Sequence, residues 1–261
     1  KTDELGIART DDLPLGKYYV VEKETADGFV LDGEPRDIDL TYRDQDTPVV
    51  TFDSEWQNSR QKAKVIVTKK EKDSDRVLEG GVFALCAKED IKNTDGDVLV
   101  KADTIMEQKA TDKDGKIFFT ADLPVGGSFY VKEVKAPAGF VTTEEVKEFT
   151  FEYAGADVPE VTFEHTFENE ATIFEITKSD LTTGVELDGA TLTVLDKDGN
   201  EIDKWTSVKG EPHIIKRLHV GETYILREEF APYGYLKAEE VEFTITDTAE
   251  IQKVEMKDEV P

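Results

Sequence analysis

The chain has 261 residues, with 32 Lys and Arg against 58 Asp and Glu, which gives a formal net charge of −26. This excess of negative charge repels nucleic acids and anionic lipids, so neither is expected as a partner. The sequence shows no run of about 18 apolar residues and no basic segment followed by an apolar core, so neither a membrane span nor a signal peptide is predicted. A single cysteine, Cys86, excludes an intrachain disulfide framework, and its apolar surroundings predict a small buried hydrophobe.

Short stretches of alternating polar and apolar residues, rich in Val, Ile, Thr and Phe, occur along most of the chain and predict β-strands. In chain order they include AKVIVTKK (63–70), EFTFEY (148–153), EVTFEHTF (160–167), EVEFTITD (240–247) and IQKVEMK (251–257). Turn signals such as KDGK (113–116) and KDGN (197–200) separate these stretches. Because convincing helical periodicity is missing, the sequence predicts an all-β fold of antiparallel, immunoglobulin-like β-sandwiches.

Three signals recur along the chain in the same order. The first is a Lys nine residues before a Leu, and the second is a Glu six residues before a Gly, as in FYVKEVKAPAGF (129–140) and TYILREEFAPYGY (223–235). The third is an Asn or Asp in the last strand of each copy. The aligned residues are Glu22 and Asn58 in the first copy, Lys69, Glu133 and Asn169 in the second, and Lys178, Glu228 and Asp258 in the third.

These copies predict tandem modules arranged end to end. Residues 1–61 are expected to be the C-terminal part of an incomplete module, and residues 62–171 and 172–261 are expected to be complete modules joined by short linkers. The first module lacks an aligned lysine, since Lys1, Lys17 and Lys23 do not fall at the expected place. Either the module is cut, or another chain donates the missing strands.

The repeated Lys, Glu and Asn or Asp predict one kind of chemistry. In a sandwich the first and last strands can lie side by side, so Lys69 and Asn169 can meet in the core. Burial favours the neutral amine of a Lys and the protonated form of a Glu. A neutral amine can attack the side-chain carbonyl while the Glu hydrogen-bonds that carbonyl and relays protons, and the product is an amide. Neighbouring Lys70 and Glu229 point to the opposite face of their strands, so the alignment selects Lys69 and Glu228.

The pattern resembles the Cna protein B-type (CnaB) domains, also called SpaA-like pilin repeats, of Gram-positive surface proteins. The resemblance covers nearly all of residues 62–261 and the second half of a module over residues 1–61, where EKETADGF lacks the proline of the family pattern. It implies a spontaneous intramolecular isopeptide bond in each complete module. The implied crosslinks are Lys69–Asn169 and Lys178–Asp258, the implied proton relays are Glu133 and Glu228, and the aligned residues without a Lys partner are Glu22 and Asn58.

The favoured function is an extracellular structural stalk of a cell-wall-attached adhesin or pilin-like protein, with neighbouring modules of the same protein as its partners. Self-crosslinking acts once, so no turnover enzyme is expected. The alternative is a ligand-binding adhesin module that recognises host matrix proteins or another surface protein through loop inserts such as residues 87–110. No cofactor or metal is expected, because DKDG at 112–115 and 196–199 is typical of hairpins and lacks a full calcium ligand series. The three histidines, His165, His213 and His219, show no ligand spacing.

Overall fold

The computed structural model describes residues 1–11, 13–47 and 49–261. These residues form strands and turns and include no helix, which confirms the all-β prediction. Consistent with this, the described part of the chain has no helix long and apolar enough to cross a bilayer. The chain divides into two compact units. The first unit comprises residues 1–63, 122–126 and 151–161, and the second comprises residues 64–121, 127–150 and 162–261.

The N-terminal part of the first unit holds a two-stranded antiparallel sheet. Its strands are β1 (Gly16–Val20) and β2 (Arg36–Leu40). Tyr18 lies opposite Ile38 in this sheet. Residues 51–59, which include the aligned Asn58, are not part of a strand. This region therefore contains less sheet than the two sets of strands that follow it.

The next set of strands forms two sheets and an added hairpin. The strands are β3 (Lys62–Glu71), β4 (Val82–Ala87), β5 (Ile91–Lys92), β6 (Val98–Val100), β7 (Ile105–Ala110), β8 (Lys116–Phe119), β9 (Ser128–Lys135), β10 (Val146–Thr150) and β11 (Glu160–Asn169). One sheet has the order β10-β9-β4-β7 and the other has the order β11-β3-β8, while β5 and β6 pair with each other.

The last set repeats this topology. Its strands are β12 (Ile173–Asp180), β13 (Thr191–Leu195), β14 (Glu201–Thr206), β15 (His213–Lys216), β16 (Thr223–Phe230), β17 (Val241–Thr244) and β18 (Gln252–Asp258). The orders are β14-β13-β16-β17 and β15-β12-β18. In both sets, the strand that carries the aligned Lys lies at the centre of a three-stranded sheet, directly beside the strand that carries the aligned Asn or Asp.

The pairing of β12 with β18 is parallel, a detail that the prediction of antiparallel β-sandwiches did not include. Lys178 lies opposite Met256, and Asp180 lies opposite Asp258. A parallel pair needs a long connection between its two strands, and residues 181–251 supply one here. Since side chains alternate between faces, Asp258 projects from the same face as Met256. The parallel register therefore brings Asp258 within reach of Lys178 on the core side.

Only part of the insert at 87–110 lies outside the core sheets. Its end forms β7, which pairs antiparallel with β4 and takes the sheet position that β14 takes in the later set. The β5–β6 hairpin is the added element. The expectation that the whole insert is a loop surface is therefore wrong for residues 105–110, because their backbone hydrogen bonds complete a core sheet.

Alternating apolar side chains fill the core beneath these sheets. Val67, Phe83, Phe129 and Phe167 are fully buried in the earlier set. The later core is a single cluster. It comprises Phe174, Ile176, Ala190, Leu192, Val194, Ile215, Leu218, Tyr224, Leu226, Phe243, Ile245 and Met256. Cys86 is completely buried, as the sequence predicted.

Thr172 lies between the two sets of strands in the second unit and is held by neighbours from both. Its N–H donates to Gly139 O at 3.1 Å, its hydroxyl donates to Leu218 O at 2.6 Å, and its carbonyl accepts from Arg217 N at 3.0 Å. Gly139 has a φ of +83°, and a Cβ there would lie 2.6 Å from Arg217 O. The Arg217 guanidinium donates to both carboxylate oxygens of Glu71, at 2.8 and 3.0 Å. The contact between the two sets is therefore close at the backbone.

Candidate functional site

The strand that carries each aligned lysine also fixes the spacing seen in the sequence. Lys69 is fully buried, whereas its neighbour Lys70 is partly exposed, as alternation requires. The chain leaves the end of β3 and returns, so that Leu78 N donates to Lys69 O at 3.0 Å. The same contact recurs between Leu187 N and Lys178 O at 2.8 Å. The interval of nine residues from Lys to Leu is thus the length of this returning loop.

Glu133 and Glu228 each lie beside a β-bulge. The ladder between β4 and β9 skips Val134, and the ladder between β13 and β16 skips Glu229. A bulge re-aims the side chains around it. The side chains of Glu133 and Glu228 are fully buried, while Glu229 is only partly buried.

In the second copy, the three aligned side chains meet in the core. Lys69 Nζ donates to Asn169 Oδ1. Asn169 Nδ2 lies 3.0 Å from Glu133 Oε1 and 2.9 Å from Glu133 Oε2 and donates to the carboxylate. Lys69 Nζ also lies 3.5 Å from Glu133 Oε1, and the N–H of Thr143 donates to Glu133 Oε2 at 2.8 Å. The amine, the amide and the carboxyl are therefore in mutual contact.

Apolar surroundings change the protonation of the amine. Lys69 Nζ lies 5.8 Å from the centroid of the Phe83 ring, and this ring packs against Phe167 with 4.9 Å between centroids. Burial lowers the pKa of Lys69 from 10.5 to about 8, although the charge of Glu133 opposes the change. A substantial fraction of neutral, nucleophilic amine is therefore present in mildly alkaline solution.

In the third copy, the same positions hold a Lys, a Glu and an Asp. Lys178 Nζ contacts Asp258 Oδ1 and lies 3.0 Å from Glu228 Oε1. The N–H of Ala238 donates to Glu228 Oε2 at 2.7 Å, as Thr143 does to Glu133. All three side chains are at most 1% exposed. The two sites are therefore built alike.

This third-copy site holds two buried carboxyl groups for one amine. Burial, reinforced by the nearby Glu228, raises the pKa of Asp258 above its usual value, while Lys178 opposes the shift. Asp258 Oδ2 is buried without a hydrogen-bond partner among the described residues, and Glu228 Oε1 has the ion-pair contact with Lys178 Nζ at 3.0 Å but no well-aligned hydrogen bond. An added proton on one of these carboxyl groups would supply a missing donor. The neutral acid form of Asp258 is the form from which water can leave.

In the first copy, Glu22 and Asn58 meet in the same way. Asn58 Nδ2 lies 2.7 Å from Glu22 Oε1 and 2.7 Å from Thr25 Oγ1. The N–H of Asp32 donates to Glu22 Oε2 at 3.1 Å. Asn58 Oδ1 is buried and has no hydrogen-bond partner in the described part of the chain.

Sequence reasoning missed the backbone donor that holds each Glu. In all three copies this N–H belongs to the residue ten positions after the Glu, which is Asp32, Thr143 or Ala238. The repeated Glu-to-Gly interval was the available signal, because it fixes where the following loop returns. The expected contact of Glu with the amide carbonyl was also wrong in the second copy. Glu133 faces the amide nitrogen of Asn169, because Lys69 occupies the carbonyl oxygen.

The described residues contain no group of three or more His, Cys, Asp or Glu placed to hold a metal ion. His213 instead stacks on Trp205, with 3.9 Å between ring centroids, and contacts Asp203 at 2.8 Å.

Comparisons with known proteins agree on the fold. The family model described as SpaA, a prealbumin-like fold domain, matches residues 1–56, 63–166 and 172–260. The Bacillus anthracis TIE protein structure is 28% identical with a TM-score of 0.58, and the match covers 99% of this chain and 45% of that one. The chain thus spans less than half of that structure.

Two further solved structures are pilins. A streptococcal ancillary pilin is 24% identical with a TM-score of 0.35, and the match covers 95% of this chain and 76% of that one. The shaft pilin SpaA from Lactobacillus rhamnosus GG is 15% identical with a TM-score of 0.33, and the match covers 77% and 98%. A search of curated proteins gave no match.

Proposed function

Because the chain belongs to the family of SpaA prealbumin-like fold domains, we propose that it is a stalk segment of a Gram-positive cell-surface protein, stabilised by two internal isopeptide bonds. The family assignment confirms the resemblance drawn from the sequence, and the family is one of pilin-like structural domains. The bonds would join Lys69 to Asn169 and Lys178 to Asp258. The stalk would be extracellular and attached to the cell wall in the parent protein, with neighbouring modules as its partners.

The observation that carries this proposal is a buried amine in contact with a carbonyl-bearing side chain and a carboxyl group. This arrangement occurs twice, on equivalent strands of the two sets. A Lys and a Glu buried merely as an ion pair would add little net stability, since desolvation offsets most of their attraction. Burying a third polar group, Asn169 or Asp258, adds a further desolvation cost. Covalent joining of the amine to the carbonyl offsets that cost.

The Asn169 reaction balances with the groups present. Neutral Lys69 Nζ attacks Asn169 Cγ, and one proton passes from the amine through Glu133 to Asn169 Nδ2, which leaves as ammonia. The 3.5 Å separation of Lys69 Nζ from Glu133 and the contacts of about 3 Å from Glu133 to Nδ2 give the proton a short path.

At the other site, neutral Lys178 Nζ attacks Cγ of the protonated Asp258. The hydroxyl of that acid takes a proton through Glu228 and leaves as water. Each site reacts only once, because the product amide keeps the lysine and the carbonyl carbon joined.

Intact-mass measurement of the folded chain tests the proposal. The mass should fall below the sequence mass by one ammonia and one water, and digestion should give peptides branched at Lys69 and Lys178. Lys69→Arg should abolish the ammonia loss and keep the water loss, while Lys70→Arg should keep both. A folded chain with unaltered mass would contradict the proposal.

A second function is favoured by one observation, the β5–β6 hairpin that the later set of strands lacks. Val98 and Leu99 on this hairpin are 44% and 66% exposed. Such exposed apolar side chains suit a recognition loop for host matrix proteins. Replacing residues 91–100 by a short turn should remove binding to immobilised matrix proteins if the hairpin is a recognition element. Binding that is absent from the start, or unchanged by the replacement, would leave the stalk function alone.

A further inference from the structure

Two edge strands of the third copy, β14 and β15, meet beside Lys178. They belong to different sheets of the sandwich, and each is the outermost strand of its sheet. A cavity of about 10 Å³ lies at this side, and its walls include Ile176, Lys178, Leu192, Trp205, Ser207 and His213. A volume of this size is close to the smallest that can hold a water molecule. Water that entered here would reach the lysine whose amine contacts Asp258.

Side chains of β14 and β15 close this side of the sandwich. Trp205 and Asp203 lie opposite core residues of β13, so both project from the core face of their sheet. His213 lies opposite Ile176 in the other sheet. Its ring stacks on Trp205 with 3.9 Å between centroids and 7° between planes, and its Nε2 lies 2.8 Å from Asp203 Oδ2. One aromatic stack and one polar contact therefore join the two sheets across the gap.

The second copy closes the same side with different residues at the equivalent positions. Glu107 and Lys109 on β7 take the places of Asp203 and Trp205, since Lys109 and Trp205 both lie opposite the core residue that pairs with the relay glutamate. Lys109 Nζ donates to Phe118 O at 2.9 Å, and Glu107 accepts two backbone N–H groups, each at 2.7 Å, from the segment that follows β8. Because different side chains reach across in the two copies, the closure itself is the shared feature.

Closure affects the proposed reaction because water would oppose it. The side chains of Lys178, Glu228 and Asp258 are at most 1% exposed. Burial raises the pKa of Asp258 and so favours the acid form from which water can leave. Hydration would lower that pKa again, and a decrease of one pH unit would reduce the acid fraction at neutral pH about tenfold. Side chains that keep water out can therefore change the rate of bond formation through the closure alone.

We propose that Trp205 and His213 are positioning residues for the crosslink between Lys178 and Asp258. Their stacked rings hold β14 against β15 and keep water away from the amine and the acid while the bond forms. The inference rests on the proposed function, since it concerns the same bond. The covalent step is unchanged, because Lys178 Nζ still displaces the hydroxyl of the protonated Asp258 as water.

The test follows bond formation in full chains kept in denaturant from synthesis, whose intact mass shows that neither bond has formed. After dilution into neutral buffer, digestion at timed intervals measures the peptides branched at Lys178 and at Lys69. Trp205→Ala and His213→Ala should each slow formation of the Lys178 branch about tenfold or more. Both variants should form the Lys69 branch at the parental rate. His213→Phe keeps a ring for the stack and should restore the parental rate at Lys178.

Two further measurements separate closure from a general loss of stability. Phe243→Ala removes a buried ring of the same core on β17, at the opposite edge of the four-stranded sheet, and should form the Lys178 branch near the parental rate once circular dichroism shows a folded chain. In an Asp258→Ala chain, Lys178 stays free. Adding His213→Ala to that chain should raise the rate at which formaldehyde and cyanoborohydride methylate Lys178, while methylation of the exposed Lys197 should not change.

The outcomes distinguish this inference from the proposed function. A parent chain that forms the Lys178 branch, together with alanine variants that form it equally fast, overturns the inference and leaves the proposed function in place. Equal slowing by Phe243→Ala or by His213→Phe also overturns the inference, as does unchanged methylation of Lys178. If Trp205→Ala does not fold, His213→Ala and His213→Phe decide the question. A folded parent chain without the Lys178 branch overturns the proposed function at this site, and the inference with it.

Discussion

Replacing Glu133 by Gln should leave the fold of the second copy in place and prevent its crosslink. Glutamine has nearly the same shape and keeps an oxygen for the N–H of Thr143, which donates to Glu133 at 2.8 Å. It cannot take a proton from Lys69 and pass it to the leaving nitrogen of Asn169. The Glu133→Gln chain should therefore keep the ammonia that the parent chain loses.

The cost of losing this bond follows from the length of the loop that it closes. Lys69 and Asn169 are 100 residues apart. By the chain-entropy relation used for disulfides, closing such a loop stabilises the native state by about 4.7 kcal/mol. For a domain of about 100 residues, each kcal/mol shifts the melting temperature by about 4–8 °C. The Glu133→Gln variant should therefore melt roughly 20–40 °C lower in the transition of the second copy.

Differential scanning calorimetry combined with intact mass measures both effects on the same sample. Glu144→Gln is the matched control, because Glu144 is exposed and the substitution makes the same chemical change at a nearby position. A Glu133→Gln chain that retains its ammonia but melts with the parent would refute the loop argument. If Glu144→Gln lowered the melting temperature equally, surface charge would explain the effect instead.

Further predictions concern pH and the contact at Thr172. Burial lowers the pKa of Lys69 to about 8, so its neutral amine becomes more abundant as pH rises. In chains kept in denaturant from synthesis, whose intact mass shows that neither bond has formed, ammonia loss on first folding should accelerate roughly tenfold per pH unit below about 8 and then level off. The raised pKa of Asp258 adds a second requirement, because water leaves only from its acid form. As pH rises through that pKa, the loss of acid form offsets the gain of neutral amine, so loss of water should stop accelerating while loss of ammonia continues to accelerate. Equal pH profiles for the two bonds would contradict both expectations. Gly139→Ala forces an unfavourable φ of +83° and places a Cβ 2.6 Å from Arg217 O, whereas Gly234→Ala has a similar φ of +91° and open space. Both should lose about 1–3 kcal/mol for the backbone strain, and chemical denaturation should show a larger loss for Gly139→Ala. Equal losses would mean that the contact with Arg217 contributes nothing.

The strands and the choice between neighbouring residues were predictable because alternation is a local property. Lys69 is buried and Lys70 is partly exposed, and the same holds for Glu228 and Glu229. A residue pointing into the core cannot have a neighbour on its own strand that does the same. The recurrence of the pattern then identified which residues share a site.

Features that depend on distant parts of the chain were not predictable in this way. Strand β7 was read as part of a loop, because its sequence IMEQKA alternates weakly and its pairing with β4 is decided by sheet completion. The orientation of the Asn169 amide depends on whether its oxygen faces Lys69 or Glu133, and the spacing of these residues in the sequence does not decide that. The approach of Gly139 to Arg217 joins residues 78 positions apart.

The parallel alignment of β12 and β18 has a consequence for extensibility. Lys178 and Asp258 are near the same ends of these strands and are 80 residues apart in sequence. If a chain with free side chains were stretched from Ile173 to Pro261, that interval would unravel to roughly 270 Å of additional contour length. With the amide in place, tension passes from β12 into β18 within a few residues, and this hidden length is never released. Such a segment would behave as a nearly inextensible tether.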